Sequence, residues 1–132
     1  MLIECKTNWT QNDYFNAEDY NRIKNNIAYI REYMEDLFVN LPNVNLGADK
    51  TYTSLIYAKE INAIEDALDG INVGSYGFNI GDKQEYFTNG KTPLWTEFNR
   101  IEYAIKLLAE TMVAQKNALP KLSFMLGVEK GL

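Results

Sequence analysis

The sequence predicts a mainly α-helical fold, in which three helices form a bundle. Two observations carry this prediction. Apolar residues recur at steps of three and four over three separate stretches, and each stretch is flanked by residues that start or stop helices. The chain has 132 residues, of which 46% are hydrophobic, and this suits one domain with one core. We therefore expect residues 1–132 to form a single helical domain.

The first helix is predicted over residues 17–38. Asn16 is a favourable N-cap, and Asp19 stands three residues later, where its carboxylate can accept a hydrogen bond from the backbone of the cap. Pro42 disfavours helix at the residue before it, so the helix should end before that point. Its apolar stripe consists of Tyr20, Ile23, Ile27, Ile30, Met34 and Leu37.

The second helix is predicted over residues 54–69, with Thr53 as its cap and Gly70 as its C-terminal stop. Its apolar stripe consists of Tyr57, Ile61, Ile64 and Leu68.

The third helix is predicted over residues 93–117, with Thr92 as its cap and Pro93 at its first helical position. It should end before Pro120. Its apolar stripe consists of Leu94, Phe98, Ile101, Ile105, Leu108 and Met112. We expect five isoleucines of the three stripes to form one buried cluster, namely Ile23, Ile27, Ile64, Ile101 and Ile105.

An approximate internal repeat relates the three helices. Each contains an apolar residue, an asparagine, any residue and an isoleucine in succession, and the asparagines are Asn21, Asn62 and Asn99. Asparagine is a mediocre helix former, so its return at one register is informative. At the edge of the core its amide could bond the backbone of a neighbouring loop or a partner helix. The alternative is a solvated side chain inherited with the repeat, and we favour the structural hydrogen bond.

The connections predicted over residues 39–52 and 70–91 are longer than is usual in helical bundles. The second intersperses glycines with apolar and aromatic residues, among them Tyr76 and Phe78. Such a loop either covers the core or presents a contact surface. We favour packing across the bundle, with a rim left for contacts.

The C-terminal tail shows a two-residue period, since apolar residues alternate with others across residues 122–128, which include Phe124. This pattern predicts a short β-strand. Ile3 and Cys5 alternate in the same way near the start of the chain. Two arrangements stay open: a terminal ribbon made from both chain ends, or a strand offered to a neighbouring subunit.

Groups for catalysis or metal binding are scarce. The chain has no histidine and one cysteine, Cys5, which therefore has no histidine to act as its base. Residues 89–92 resemble the end of a phosphate-binding loop, but Glu85 occupies the place of a required glycine. Glu65 and its acidic neighbours are expected to be solvated. We predict no catalytic residue, no cofactor site, no metal site and no enzymatic activity.

The formal net charge of −5 argues against nucleic acid as a partner, because phosphate binding needs a dense basic face. No apolar run approaches the roughly 20 residues needed to span a bilayer, and the first residues do not form a signal peptide. Nine tyrosines suit half-buried surfaces. Other proteins are therefore the predicted partners.

Three short segments, residues 8–10, 13–16 and 19–27, resemble a stretch that recurs in virion proteins of tailed phages and prophages of Gram-positive bacteria. In that stretch a tryptophan and a Phe-Asn or Tyr-Asn pair lead into a helix bearing Asn-Arg-Ile-Glu or Asn-Arg-Val-Glu. Residues 94–102 look like a second copy. The close match covers residues 8–30 and 92–105. The first copy has lysine, Lys24, where glutamate is usual, and the middle copy lacks the tryptophan and the arginine.

This resemblance implies a structural component of the tail, baseplate or fibre region, made in the bacterial cytoplasm and carried in the virion. Its partners would be other virion proteins, and it would act in several copies or as a homo-oligomer. The alternative is a small phage-encoded intracellular regulator that binds a host protein. The candidate interface and structural residues are Trp9, Asn21, Arg22, Asn62, Tyr76, Phe78, Trp95, Asn99, Arg100 and Phe124.

Overall fold

The computed structural model describes the backbone of residues 2–126 and the side chains of residues 2–118. It contains helices α1 (Ala17–Met34), α2 (Ala58–Val73) and α3 (Trp95–Leu126). Each helix packs against the other two. The prediction of a mainly α-helical, three-helix bundle is therefore confirmed.

All three helices run in the same direction. Phe15 just before α1, Ile61 in the first turn of α2 and Phe98 in the first turn of α3 line one shared depression. At the opposite end of the bundle, Oδ2 of Asp36, just past α1, lies 3.9 Å from Nζ of Lys116 in α3. The direction explains the long connections, since each must return along a helix of 16 to 18 residues, a length of about 25 Å.

Each groove between two helices holds an extended stretch of the chain, and we call residues 3–9, 40–50 and 78–86 the return segments. Segment 40–50 lies between α1 and α2. Arg31 Nε of α1 donates to the Pro42 carbonyl oxygen at 2.9 Å. A Cβ atom built on Gly70 of α2 would lie 3.0 Å from Pro42 Cγ. Gly70 therefore lies inside α2, where the lack of a side chain leaves room for Pro42. The prediction that Gly70 stops the helix is wrong.

The other two return segments occupy their grooves in the same way. Segment 78–86 lies between α2 and α3, because Asn72 of α2 bonds the backbone of Phe78 while Gly81 touches the side chain of Arg100. Segment 3–9 lies between α3 and α1. There Asn26 of α1 bonds the backbone of Ile3, and Glu102 of α3 accepts from Lys6. Three parallel helices and three return segments thus form a closed arrangement.

The core lies on the axis of the bundle, where the helical stripes meet. The five isoleucines predicted to be buried are buried in one cluster, which confirms that prediction. They are Ile23, Ile27, Ile64, Ile101 and Ile105.

The predicted capping of α1 is confirmed, since Asp19 N donates to Asn16 Oδ1 at 3.0 Å and Asn16 N donates to Asp19 Oδ2 at 3.1 Å. The helix ends at Met34 rather than at residue 38. The amide groups of Leu37 and Phe38 both donate to the Met34 carbonyl oxygen in a turn. That turn sends the chain into the groove between α1 and α2.

Helices α2 and α3 begin later than predicted. Thr53 does not cap α2; the chain turns at Ser54, whose amide donates to the Thr51 carbonyl oxygen, and Glu60 caps the amide of Tyr57. Tyr57 and Leu94 directly precede their helices and are exposed, so their placement in the apolar stripes is wrong. All three helices begin four residues before their repeated asparagine.

The predicted strand at the C-terminus is wrong over residues 122–126, because α3 continues across Pro120 as far as Leu126. Residues 127 and 128 of that prediction lie outside the described part of the chain. A strand needs a partner edge, whereas a helix satisfies its own backbone groups. The proposed partner at Ile3 is already engaged, since its amide and carbonyl groups both bond the Asn26 side chain. Residues 2–126 contain no β-strand.

Candidate functional site

The repeated asparagines hold the return segments. The Asn21 amide of α1 donates to the carbonyl oxygen of Lys50 at 2.8 Å and accepts from the amide of the same residue at 2.7 Å. Asn62 of α2 holds Tyr86 in the same manner, at 2.7 and 2.8 Å. A side-chain amide can replace one rung of a β-ladder in this way, since it offers one donor and one acceptor side by side.

We call each of these asparagine–backbone contacts a clamp, and Asn99 makes the third. Asn99 of α3 donates to the Trp9 carbonyl oxygen at 3.0 Å and accepts from the Trp9 amide at 2.8 Å. Each helix therefore clamps the segment that leads into another helix, in the cyclic order α1 to α2, α2 to α3 and α3 to α1. The predicted structural hydrogen bond between each asparagine and the backbone of a loop is confirmed.

Glu102 of α3 is the most heavily engaged polar group among the described residues. Its carboxylate is 0% exposed and accepts from Arg22 Nε at 2.8 Å, from Trp9 Nε1 at 2.7 Å and from the Lys6 amide at 3.0 Å. Burial lowers the pKa of Arg22, but its hydrogen bonds to Glu102 and Asp19 outweigh that effect and leave the pKa above its usual value. The buried charges are paired and fully hydrogen-bonded, as their burial requires.

An equivalent ion pair joins α3 to α2. Arg100 bonds Glu65, and its Nε also donates to Glu97 at 2.7 Å. Glu65 is buried, so the expectation that it is solvated is wrong. Burial raises the pKa of Glu65, while Arg100 opposes that shift. The sequence does indicate this role, because Glu65 holds the same position in the repeat as Glu102. Each glutamate follows its repeated asparagine, Asn62 or Asn99, by three residues.

The equivalent place between α1 and α2 lacks both members of this ion pair. Lys24 stands where the other repeats have Glu65 and Glu102, and Ala63 stands where they have arginine. Lys24 is buried, and its Nζ donates to the Gly47 carbonyl oxygen at 3.0 Å and to Asp49 Oδ1 at 2.5 Å. Lysine in the first copy of the repeat and the missing arginine in the middle copy thus fall on the same helix pair, α1 and α2.

The two aromatic residues of the loop after α2 that were predicted to form interface or structural contacts pack inward. Tyr76 and Phe78 are half-buried against the core, with ring centroids 5.1 Å apart in a stacked arrangement. The edge of Phe38 meets Tyr76, whose hydroxyl group donates to Gln115 Oε1 of α3 at 2.6 Å. These contacts tie the loop to the turn after α1 and to α3.

Trp9 is also internal. It is buried, and its ring centroid lies 5.1 Å from that of Phe98 and 6.0 Å from that of Phe15. Phe15 and Phe98 stack at 4.2 Å, so the three rings form one cluster beneath the start of α3. Trp9, Phe15 and Phe98 therefore pack in or against the core of the domain.

Of the ten residues predicted to form interfaces or structural contacts, Trp95 is the clearest surface residue, with 40% of its area exposed. The side chain of Phe124 lies outside the described residues. The other eight make the internal contacts given above. Tyr57 and Leu94, which the sequence analysis placed in helical stripes, are exposed as well.

Large apolar residues are exposed around the starts of the three helices. We call this surface the apolar bundle end, and it consists of Tyr14, Tyr52, Leu55, Tyr57, Leu94 and Trp95. Tyr52 and Leu55 of this surface line a depression of about 460 Å³, whose lining also includes Phe15, Ile61 and Phe98. The four-residue offset between each helix start and its asparagine is the signal that could have located this surface.

Within residues 2–118, no group of three or more histidine, cysteine, aspartate or glutamate side chains is placed to hold a metal ion. None of the helices in the described part of the chain has both the length and the apolar character needed to cross a membrane. Comparison with protein-family models, curated proteins and solved structures finds no match for this chain.

Proposed function

We propose that this protein is a non-enzymatic structural and assembly component of a phage or prophage tail or baseplate. It docks onto neighbouring virion proteins as a rigid body through the apolar bundle end. The observation that carries this proposal is the exposure of Leu55, Leu94 and Trp95 at the helix starts, where Leu55 also lines a depression. Several large apolar side chains exposed at one end of a domain are typical of a protein interface.

The asparagine clamps support the proposal because they make the domain rigid. Every return segment is held at its backbone by an asparagine, and the connection after α2 is tied to α3 through Tyr76. A surface carried by such a body loses little conformational entropy on docking, which favours assembly. The resemblance of residues 8–30 and 92–105 to virion proteins supplies the class of partner.

The experiment is mass spectrometry of purified particles from a strain that carries the gene, combined with variants of the apolar bundle end. Leu55→Asp together with Leu94→Asp should abolish incorporation into particles without unfolding the domain, because both side chains are largely exposed. The matched control is Val39→Asp, which changes an exposed residue just past the opposite end of α1 and should be incorporated normally.

Two results would contradict the proposal. The wild-type protein could be absent from purified particles and remain in the cell, which would favour the intracellular regulator. Alternatively, the double variant could be incorporated as efficiently as the Val39→Asp control, which would remove the apolar bundle end from the docking surface.

A further inference from the structure

The turn before α3 contains the one asparagine–glycine pair of the sequence, Asn89 and Gly90. The Gly90 amide donates to the Phe87 carbonyl oxygen at 2.9 Å, which closes a four-residue turn. Asn89 is the third residue of this turn and has a φ of 64°. Positive φ at that place favours glycine or asparagine, so the geometry of the turn selects the residue type at position 89.

The turn selects Gly90 as well. A Cβ atom built on Gly90 would lie 3.1 Å from the Phe87 carbonyl oxygen, which is tighter than most side chains tolerate. Glycine therefore lets the turn close. The turn thus accounts for the first two residues of the stretch 89–92 that resembles the end of a phosphate-binding loop. It also joins an asparagine side chain to a backbone nitrogen that no side chain shields.

We propose that Asn89 is a site of spontaneous modification, which converts it to isoaspartate in the folded protein. The Gly90 nitrogen attacks Cγ of Asn89, a C–N bond forms, and the side-chain nitrogen leaves as ammonia together with the Gly90 amide proton. Water then opens the five-membered imide. Attack at the backbone carbonyl carbon gives isoaspartate, in which the main chain runs through Cγ, and attack at Cγ gives aspartate. Each conversion consumes one water molecule and releases one ammonia molecule, without an oxidant or an enzyme.

The structure favours this reaction at Asn89 over the other asparagines. Residues 87–90 are all exposed, so the hydrogen bond of the turn can open locally and free the Gly90 amide at little cost. Gly90 also has no side chain to hinder the attack of its nitrogen. By contrast, the side-chain amides of Asn62 and Asn99 are held in place by the clamps.

Isoaspartate would lengthen the connection between two fixed points of the fold. Tyr86 is held by Asn62 before the turn, and α3 begins at Trp95 after it. The extra backbone atom must be accommodated between these points, where Thr92 and Pro93 line the depression of about 460 Å³ at the helix starts. Any effect on docking at this place rests on the proposed function, whereas the conversion itself does not.

The test incubates the full chain at mildly alkaline pH without denaturant and follows each asparagine by peptide mass spectrometry. Asn89 should convert at least about tenfold faster than Asn12 and Asn43, which are also exposed but precede residues with side chains. Asn89→Gly should abolish the product and keep the turn, since glycine accepts positive φ. In the matched control Asn12→Gly, conversion at Asn89 should stay within about twofold of the wild-type rate, because the turn is unchanged.

A destabilised variant distinguishes local opening of the turn from global unfolding. Glu102→Gln removes a buried charge far from the turn in sequence and should make the unfolded chain much more populated. If the reaction needs only the turn to open, Asn89 in this variant should convert within about twofold of the wild-type rate. A rate that rises with the unfolded population would show that the folded protein is not the reacting species.

Nuclear magnetic resonance separates the two products. The aged wild-type protein should show shifted amide resonances at Thr92 and Leu94, because isoaspartate lengthens the backbone before them. Asn89→Asp carries the charge without the extra backbone atom and should leave the Leu94 resonance unchanged. Equal conversion at Asn89 and Asn12, faster conversion in Glu102→Gln, or identical spectra of the aged protein and Asn89→Asp would each overturn the proposal. These measurements use purified protein, so their outcome is independent of the particle experiment.

Discussion

Glu102 of α3 and Arg22 of α1 form a two-bond ion pair with N–O distances of 2.8 and 2.7 Å, and the carboxylate has no exposed area. The same carboxylate also holds Trp9, which leads towards α1. One buried charge thus joins two helices and a return segment. Because this charge has no contact with solvent, its partners determine whether it stabilises or destabilises the fold.

We expect Glu102→Gln to lower the free energy of unfolding by about 3 to 5 kcal/mol, because Arg22 would remain largely buried without its counter-charge. Urea denaturation followed by circular dichroism measures this change. The control is Glu110→Gln on the exposed face of α3, which should change stability by less than about 0.5 kcal/mol. Equal effects of the two substitutions would show that the ion pair contributes little.

We expect Asn62→Ala to lower the free energy of unfolding by about 2 kcal/mol, because it leaves the amide and carbonyl groups of Tyr86 without their partner. Hydrogen exchange should show loss of protection at the Tyr86 amide. The control is Asn25→Ala, which removes one exposed side-chain bond to Asp49. An unchanged exchange rate at Tyr86 in the Asn62→Ala variant would refute the clamp.

The third ion pair can be restored by design. Lys24→Glu alone should destabilise the protein, because it replaces a buried cation with a carboxylate near Asp49. Ala63→Arg alone should change little, since position 63 is exposed. In a double-mutant cycle the combined variant should be more stable than the sum of the single changes by at least about 1 kcal/mol. A coupling energy of zero would mean that the repeat register does not extend to this helix pair.

Cys5 should react slowly in the folded protein. Burial and the nearby Glu102 carboxylate raise the pKa of its thiol from its ordinary value of 9.0 to about 11. At pH 8 the thiolate fraction, and with it the alkylation rate, should be about 100-fold lower than in the unfolded chain. Rates measured with and without denaturant test this expectation, and equal rates would contradict it.

The same shift in pKa makes a prediction about stability. Because the folded pKa of the thiol exceeds the unfolded value, the fold favours the protonated form, and that contribution is complete below pH 9 and is lost as the pH rises towards 11. A Cys5→Ser variant should lack this part of the alkaline decline.

Several features were predictable from local sequence. The steps of three and four between apolar residues identified three helices and their buried isoleucines, and the capping pair Asn16 and Asp19 located the start of α1. The return of asparagine at one register indicated a structural hydrogen bond. These features depend on residues close together in the chain, so periodicity and capping rules are enough to find them.

Other features were decided by the tertiary structure. A helical stripe shows which face is apolar, but it does not state which way neighbouring helices run. Because the helices run parallel, the chain must return along the grooves between them. The return segments leave Glu65 and Lys24 in the interior and Leu94 exposed. The alternation at residues 122–126 predicted a strand, yet the backbone of Ile3 was already bonded by Asn26. Local sequence determined which residues form helices and clamps. The packing of distant segments decided which residues each of them contacts, because a buried charge or a strand edge depends on the group that lies across from it.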